Sequence, residues 1–515
     1  MANNPFTPTD PITRPEDFIG RSEQLKIVID ALIHGTNVLL TGYRGIGKTS
    51  LADQTLVALR TKGRSLIAQT GISFPPTAPN IASYTCSSDS SLADIAEGLL
   101  ASLRRNMGAT TKAVLKGEIN LGFAKGSVEL KDAEFNIKSV SALFVNAISE
   151  LIATAHSNDG FTYFLIDEID VLADSVLLGA FVKVVKESFR NEGKERFAFL
   201  LVGQRGVAQK LIRDHPSVGR TLTFVDIPRM TNGEIGQIFS RAAQRANLRF
   251  DPGVISEISA LAHGFPSVAQ LIGYQCYFVD VDGFIDVLDF ESAVSRAAEK
   301  LRAERYVADV KDVVQREPSL KILSFLCDES DDVINIRNLA STFGETISDE
   351  SFRAELNLLS DSDLIEWVDK NSIKLKDRLI AIYYFLRSIR IRSTELIKTV
   401  VDILQRRGYK CRVGGIESDR LLDIIATKEI AVFLFLKRQF RIGVICLPSH
   451  EIVPESLVSN ISENCKSILQ KYSLEFLIAA SGSSLRDPAA IDSLATVGVR
   501  LYTLEELTRM KFENY

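Results

Sequence analysis

The chain has 515 residues, is 46% hydrophobic and 24% charged, and carries a formal net charge of −5. That length suits about three domains at roughly 150 residues each, the balance is that of a soluble globular protein, and the acidic excess argues against a protein that coats nucleic acid along its whole surface. Six scattered cysteines without a CxxC pair and five histidines without paired spacing speak against a disulfide framework or a zinc or histidine metal centre, and point to reduced thiols in a cytoplasmic setting.

The opening "MANNPFTPTDPITRPEDF" lacks the basic-then-apolar pattern of a signal segment. No apolar run approaches the ~20 residues a membrane span needs, so no membrane contact is expected. Residues 1–14, rich in proline and threonine, read as an irregular arm. "SEQLKIVIDALIHG" reads as an amphipathic helix with Ser22 as its N-cap and Gly35 as its stop. "NVLLT" reads as a buried strand, "KTSLADQTLVALRTKG" as a helix, "NIASYTCSS" as a strand and "SLADIAEGLLASLRRNM" as a helix opened by serine. "KGEINLGFAKGSVELKDAEFNI" alternates polar and apolar residues around Gly122 and Gly126, which predicts a β-hairpin insertion over about 115–138. A helix over about 139–156 and the apolar strands "FTYFLID", "FAFLLVG" and "LTFVDI" follow. Strands alternating with helices predict a parallel sheet covered on both faces, filling a first domain over 1–228.

From Pro228 the strand signals stop, and helices alone predict an α-helical lid over 229–312. Over 313–392, three helices and the hairpin "LIEWVDKNSIKLKD" predict a winged helix-turn-helix. A last α/β unit over 393–515 opens with helix "STELIKTVVDILQRRG". Strands "YKCRVGG", "LLDIIAT", "AVFLFLK" and "RIGVICL" follow, then a helix, strand "LEFLIAAS" and a final αβ segment.

Two motifs carry chemistry. "GYRGIGKTS" matches GxxxxGK[ST] through Gly42, Gly47, Lys48 and Thr49, between a predicted strand and a predicted helix. At average composition such a chain shows this pattern by chance about 2 times in 100. Its glycines free backbone N–H groups to face phosphates, and a helix N-terminus favours anions. That makes Gly42, Tyr43, Arg44, Gly45, Ile46, Gly47, Lys48, Thr49 and Ser50 the candidate ATP cradle. Lys48 would reach the β- and γ-phosphates, and the Thr49 hydroxyl would ligate Mg²⁺. "YFLIDEIDVL" runs an apolar strand into Asp167 and Glu168, where α/β folds bind ligands. Asp167 is the candidate second holder of Mg²⁺, through water, and Glu168 the candidate to polarise the attacking water. Asp170 reads as solvent-facing or structural.

"DFIGRSEQLKIVIDALIHGTNVLLTGYRGIGKTSL" resembles the opening of the AAA+ and STAND ATPases, especially the origin-recognition-like and archaeal-type branch, over about residues 14–300. The resemblance implies a P-loop ATPase, a base pocket at Ile19 and Gly20, a polar sensor at Gln204 in "LLVGQRG", and an arginine finger at Arg220 in "HPSVGRTLTFVDIP". Arg220 would act in trans, so the resemblance implies self-association. "AHGFPSVAQLIG" is similar to the lid segment, with Gly264 and Pro266 in a GxP pattern, but lacks the arginine usual there. That departure favours a slow, switch-like ATPase coupling its nucleotide state to the winged helix and the C-terminal unit.

The winged helix raises DNA as a partner. Its recognition-helix segment "SDESFRAELNLLSDSD" sets Asp349, Glu350, Glu355, Asp361 and Asp363 against Arg353 alone, which repels phosphates. Lys370, Lys374, Lys376 and Arg378 in the wing are the candidate DNA contacts. The C-terminal unit looks like a PD-(D/E)xK nuclease fold. Asp423 and Lys437 match its pattern, Phe435 stands where the second acid belongs, and Glu395 or Glu417 are the available substitutes. One carboxylate does not assemble a Mg²⁺ site, so a degenerate domain is expected. An ATP-regulated nuclease and a winged-helix DNA-binding regulator with structural ATP are the alternative functions.

Overall fold

The computed structural model describes the chain apart from residues 1–3, 62–71, 73, 76, 107–132, 155–160, 174, 192–196, 213–215, 306–316, 330–332, 344–348, 363, 389–393, 414–422, 434–435, 447–464, 467, 471–472, 482–493 and 510–515. It divides into two compact units: Thr7–Arg241 with Gly264–Gln270, and Met1–Phe6 with Ala242–His263 and Leu271–Tyr515.

The first unit is built on five parallel strands: β1 (Asn37–Gly42), β2 (Asn80–Thr85), β3 (Thr162–Asp167), β4 (Phe197–Gln204) and β5 (Leu222–Asp226). They lie in the order β2-β3-β4-β1-β5. Every residue of β3 is buried, as a parallel strand covered on both faces requires. The helices are α1 (Ser22–Ile33), α2 (Lys48–Thr61), α3 (Leu92–Asn106), α4 (Ala133–Thr154), α5 (Ser175–Asn191), α6 (Val207–Ile212) and α7 (Pro216–Gly219). Phe144, Phe164, Phe181 and Phe199 lock α4 and α5 onto the sheet, with ring centroids 5.0 Å apart for Phe164–Phe199, 5.3 Å for Phe144–Phe181 and 5.5 Å for Phe144–Phe164. Each ring contributes about 2–3 kcal/mol by burial. Ser91 opens α3 as expected: its Oγ accepts from the Asp94 amide at 3.2 Å, while Asp94 Oδ2 accepts from the Ser91 amide at 2.9 Å.

Two local expectations are corrected here. Ser22 is the first residue of α1 and not its cap; the cap position is Arg21, in left-handed backbone at φ 64°. The hairpin expected over about 115–138 is contradicted over its last six positions, which are helical within α4. The alternation there was fragmentary, and the apolar residues from Phe135 onward continue the helical stripe. The remainder of that segment lies outside the described residues.

Beyond the sheet come α8 (Asn232–Ala246), β6 (Arg249–Phe250), α9 (Pro252–Leu261), α10 (Pro266–Val279), β7 (Phe284–Ile285) and α11 (Val287–Arg305). The short parallel pair β6–β7 interrupts the expected all-helical stretch; two-residue strands are too short to leave a periodic signal. Next are α12 (Glu317–Asp328), β8 (Val333–Asn335), α13 (Ile336–Phe343), α14 (Asp349–Asp361), β9 (Ile365–Asp369), β10 (Ser372–Leu375) and α15 (Arg378–Ser388). The three strands form an antiparallel sheet in the order β8-β10-β9.

The charges of this module differ from their sequence reading. Arg378 is 7% exposed, and its Nη1 donates to the carbonyls of Leu326 at 2.8 Å and Cys327 at 2.6 Å, so it is a structural pin and not a DNA contact. Lys374 is paired with Glu366. Lys370 and Lys376 remain exposed. Glu355 is buried and accepts from Ser319 Oγ, so it leaves the exposed acidic face of α14. Asp363 lies outside the described residues.

The C-terminal part holds α16 (Thr394–Arg406), β11 (Lys410–Val413), β12 (Ile424–Phe433), β13 (Leu436–Cys446), β14 (Phe476–Ser481), β15 (Arg500–Thr503) and α17 (Leu504–Arg509). Its sheet runs β11-β12-β13-β14-β15, antiparallel through β13 and parallel after it. The run "AVFLFLK", read as one strand, is split: its first residues end β12 and its last begin β13. The register sets Ile424 opposite Val444 and Ala431 opposite Lys437. Asp423 donates its amide to the Val444 carbonyl at 2.9 Å and accepts from the Cys446 amide. Lys437 is therefore at the far end of the paired strands, roughly 26 Å of strand away at about 3.3 Å per residue. Asp423 and Lys437 do not meet, and the strand facing Asp423 offers Val444 and Cys446. Glu395 lies in the first turn of α16; Glu417 and Phe435 lie outside the described residues. Among the described residues, no helix is long and apolar enough to cross a membrane.

Candidate active site

β1 ends at Gly42, and the chain turns through residues 43–47 into α2, which begins at Lys48. Gly45 (φ 77°) and Gly47 (φ 96°) are in left-handed backbone, which glycine adopts without strain. The loop bounds a cavity of about 500 Å³ in the first unit, a volume suited to a cofactor-sized ligand. Of the sequence candidates, Ile19, Pro266, Gln204, Asp167, Glu168 and every residue from Arg44 to Ser50 line it. Gly20, Gly42 and Tyr43 do not; they frame it. A Cβ on Gly42 would stand 3.0 Å from Ile46 Cγ2, and one on Gly20 would stand 2.2 Å from Glu234 Oε1. Arg220 is exposed between α7 and β5 and lies off the cavity.

The sheet order brings the two motifs together. β3 and β1 flank β4, so the ends of all three meet at one edge of the cavity. Thr49 Oγ1 donates to Asp167 Oδ2 at 2.8 Å, and the Glu168 amide donates to Asp167 Oδ1 at 2.7 Å. Burial raises the Asp167 carboxyl above its ordinary value, against the opposing pull of the Thr49 and Glu168 hydrogen bonds and of Lys48. A hydroxyl and a carboxylate this close can share a hard divalent cation through oxygen. No group of three or more His, Cys, Asp or Glu among the described residues could hold a metal, so such a cation would take its remaining ligands from water and ligand oxygens.

Lys48 Nζ donates to the Tyr43 carbonyl at 3.0 Å. Burial lowers its pKa, and the carboxylates of Asp170, Asp167 and Glu168 oppose that shift. Glu168 is exposed, lines the cavity and holds left-handed backbone at φ 56°, a strained conformation typical of functional positions. Asp170 is structural: its Oδ1 accepts from the Gln204 amide at 2.9 Å and its Oδ2 from Gln204 Nε2 at 2.8 Å. That fixes Gln204 beside the end of β1.

Three contributors escaped sequence reasoning. Arg21 lines the cavity, is 6% exposed, and its Nη2 has no hydrogen-bond partner. Burial lowers its pKa, countered by Glu234. A buried N–H without an acceptor is costly, and a ligand rich in acceptors would satisfy it. Its position directly after "FIG" was the available signal. Thr85, paired with Asp167 in register, also lines the cavity. The arm, read as irregular, is tied down: the Thr7 amide donates to Gln270 Oε1 at 3.0 Å, the Ile12 amide to Ser50 Oγ at 3.0 Å, and Gln54 Nε2 to the Ile12 carbonyl at 2.7 Å.

Residues 17–191 match the family model of the AAA ATPase domain. That AAA-type segment contains both motifs and the strands that carry them. No curated protein matches the chain. Among solved structures, the chain is similar to the Walker-type ATPase of Pyrococcus abyssi (19% identity, TM-score 0.42, 73% of this chain and 99% of that one). It is also similar to the ORC2 protein of Aeropyrum pernix (14%, 0.39, 75% and 97%). A third similarity is to the RuvB Holliday junction branch migration motor of Thermotoga maritima (15%, 0.35, 74% and 98%).

Proposed function

We propose that this chain is a Mg²⁺-dependent ATPase of the AAA+ type that works as a slow nucleotide switch. The observation that carries the reading is the 2.8 Å bond from Thr49 Oγ1 to Asp167 Oδ2 at the foot of a glycine loop that also holds the half-buried Lys48. The loop amides and the N-terminus of α2 bind the phosphate chain. Lys48 leaves the Tyr43 carbonyl to neutralise the terminal phosphates, a move its three acidic neighbours favour by keeping it charged. Mg²⁺, when bound at Thr49 and Asp167, supplies charge neutralisation of the phosphate oxygens. Glu168 holds and deprotonates the attacking water, and Gln204, pinned by Asp170, orients toward the terminal phosphate. Ile19, Arg21, Met230, Ile238 and the arm enclose the base and sugar end.

The slow, STAND-like character rests on α10, whose cavity-lining residues are Pro266, Ser267 and Gln270, none of them cationic. Arg220, exposed and off the cavity, is available to a second copy of the chain. The α12–β10 module is read as a winged helix, with DNA contact limited to Lys370 and Lys376. The nuclease reading loses support from the separation of Asp423 and Lys437.

Phosphate release from ATP tests the proposal. Turnover is expected to require Mg²⁺ and to fall by at least about a hundredfold in Asp167→Asn, since the negative charge that holds the cation is lost. Turnover unaffected by chelation or by this substitution would refute the assignment.

A further inference from the structure

We propose that Arg205 is a positioning residue that latches the phosphate-binding loop in its binding-ready shape. The inference rests on the nucleotide reading above and concerns a side chain that reading does not use.

Arg205 directly follows Gln204 at the end of β4 and does not line the cavity. Its guanidinium lies over the Tyr43 ring, with Cζ 4.1 Å from the centroid, and its Nη1 donates to the Tyr43 hydroxyl. Its Nε donates to Asp226 Oδ1 at 3.3 Å, and its Nη2 to Asp226 Oδ2. Asp226 ends β5 and also accepts from Thr41 Oγ1 of β1 at 3.2 Å. Beside the same tyrosine is Phe265, with ring centroids 6.1 Å apart. Tyr43 is thus gripped between a guanidinium anchored on the sheet and the residue that precedes α10.

The grip matters because of what the Tyr43 carbonyl does. It accepts from the Ile46 amide at 3.4 Å and from Lys48 Nζ at 3.0 Å, so it sets the path of the loop and the resting place of the lysine. A glycine-rich loop loses much conformational freedom when it closes on phosphates, and fixing its first residue beforehand reduces that loss. Arginine is suited to this grip because its planar fork engages both oxygens of Asp226 while its face stacks on the ring. Lysine could not do both. The neighbouring peptide is pinned as well, through Gln204 to Asp170. The two residues at the end of β4 therefore hold one partner from each nucleotide motif.

A latch that shapes the loop acts alike on every nucleotide the loop grips. Arg205→Ala is expected to weaken ADP and ATP alike by about tenfold, the loss of one stacked, charge-assisted contact. KM for ATP should rise by the same factor with kcat held within about twofold, the signature of lost uniform binding. Tyr43→Ala should reproduce these values, and adding Arg205→Ala to it should change them by less than about twofold, because both remove one interaction. Asp226→Asn, which keeps the arginine but loosens its anchor, should weaken both nucleotides in the same ratio by a smaller factor.

The test uses the full chain, fluorescent ADP and ATP analogues in equilibrium titrations, and steady-state phosphate release, with circular dichroism to confirm folding of each variant. Equal losses for ADP and ATP together with non-additivity support the latch. Three results overturn it alone: unchanged ADP affinity in Arg205→Ala, a kcat loss without a KM change, or an additive double variant. A wild-type chain that binds neither analogue overturns the nucleotide reading and the latch together.

Discussion

Glu168→Gln is expected to lower ATP turnover by about 10²- to 10⁴-fold, the range for losing a general base, while ATP remains bound. The amide cannot take a proton from water, yet it matches the carboxylate in size. The contact that orders this corner comes from the Glu168 backbone amide to Asp167 Oδ1, and it survives the substitution. The side chain is exposed, so thermal stability should shift by no more than about 0.5 kcal/mol. The expected pattern is a chain that retains radiolabelled ATP on a filter but releases almost no phosphate in a single turnover. Phosphate release within about threefold of wild type would move the water-activating role away from Glu168.

The second large effect is structural and reaches the site through the backbone. Gly264 has φ +75°, and a Cβ there would stand 2.6 Å from the Met230 carbonyl oxygen and 2.7 Å from Arg229 Cβ. The Met230 amide donates to the Gly264 carbonyl at 2.9 Å, so the two segments have no slack between them. Met230 lines the cavity, as does Pro266, two residues after the glycine. Gly264→Ala is therefore expected to destabilise the fold by about 2–4 kcal/mol, from left-handed strain and overpacking combined. ATP affinity should fall with it, because relieving the clash displaces Met230. Urea denaturation followed by circular dichroism measures the first effect. An unchanged midpoint would show that the turn relaxes freely.

The two nucleotide motifs were legible because their signals are local. Three glycines before a lysine and a threonine demand a particular loop, and an apolar strand ending in Asp167 and Glu168 places the acids at a strand end. Thr85, and the grip of Arg205 on Tyr43 and Asp226, were not legible. They follow from β2 lying beside β3 and from β1 lying between β4 and β5, and strand order is a property of the packed sheet. Arg21 closes the "FIGR" element whose Ile19 and Gly20 were the base-pocket candidates, and it was left out of them because the burial of an arginine is not visible in sequence. The same blindness affected the segment from Lys370 to Arg378, where four cations cluster in sequence but Arg378 turns inward to two carbonyls and Lys374 pairs with Glu366. The run "AVFLFLK" is apolar almost throughout, so periodicity could not show that its first residues belong to β12 and its last to β13. The antiparallel register of β12 and β13 puts Lys437 at the end opposite Asp423.

Calorimetric titration of the wild-type chain and of Lys48→Ala with ATP in the presence of Mg²⁺ tests the central claim most directly. The account predicts saturable binding of one ATP per wild-type chain, and an affinity at least about a hundredfold weaker once the Lys48 ammonium is removed. Equal binding by the two chains, or none by wild type, would contradict it.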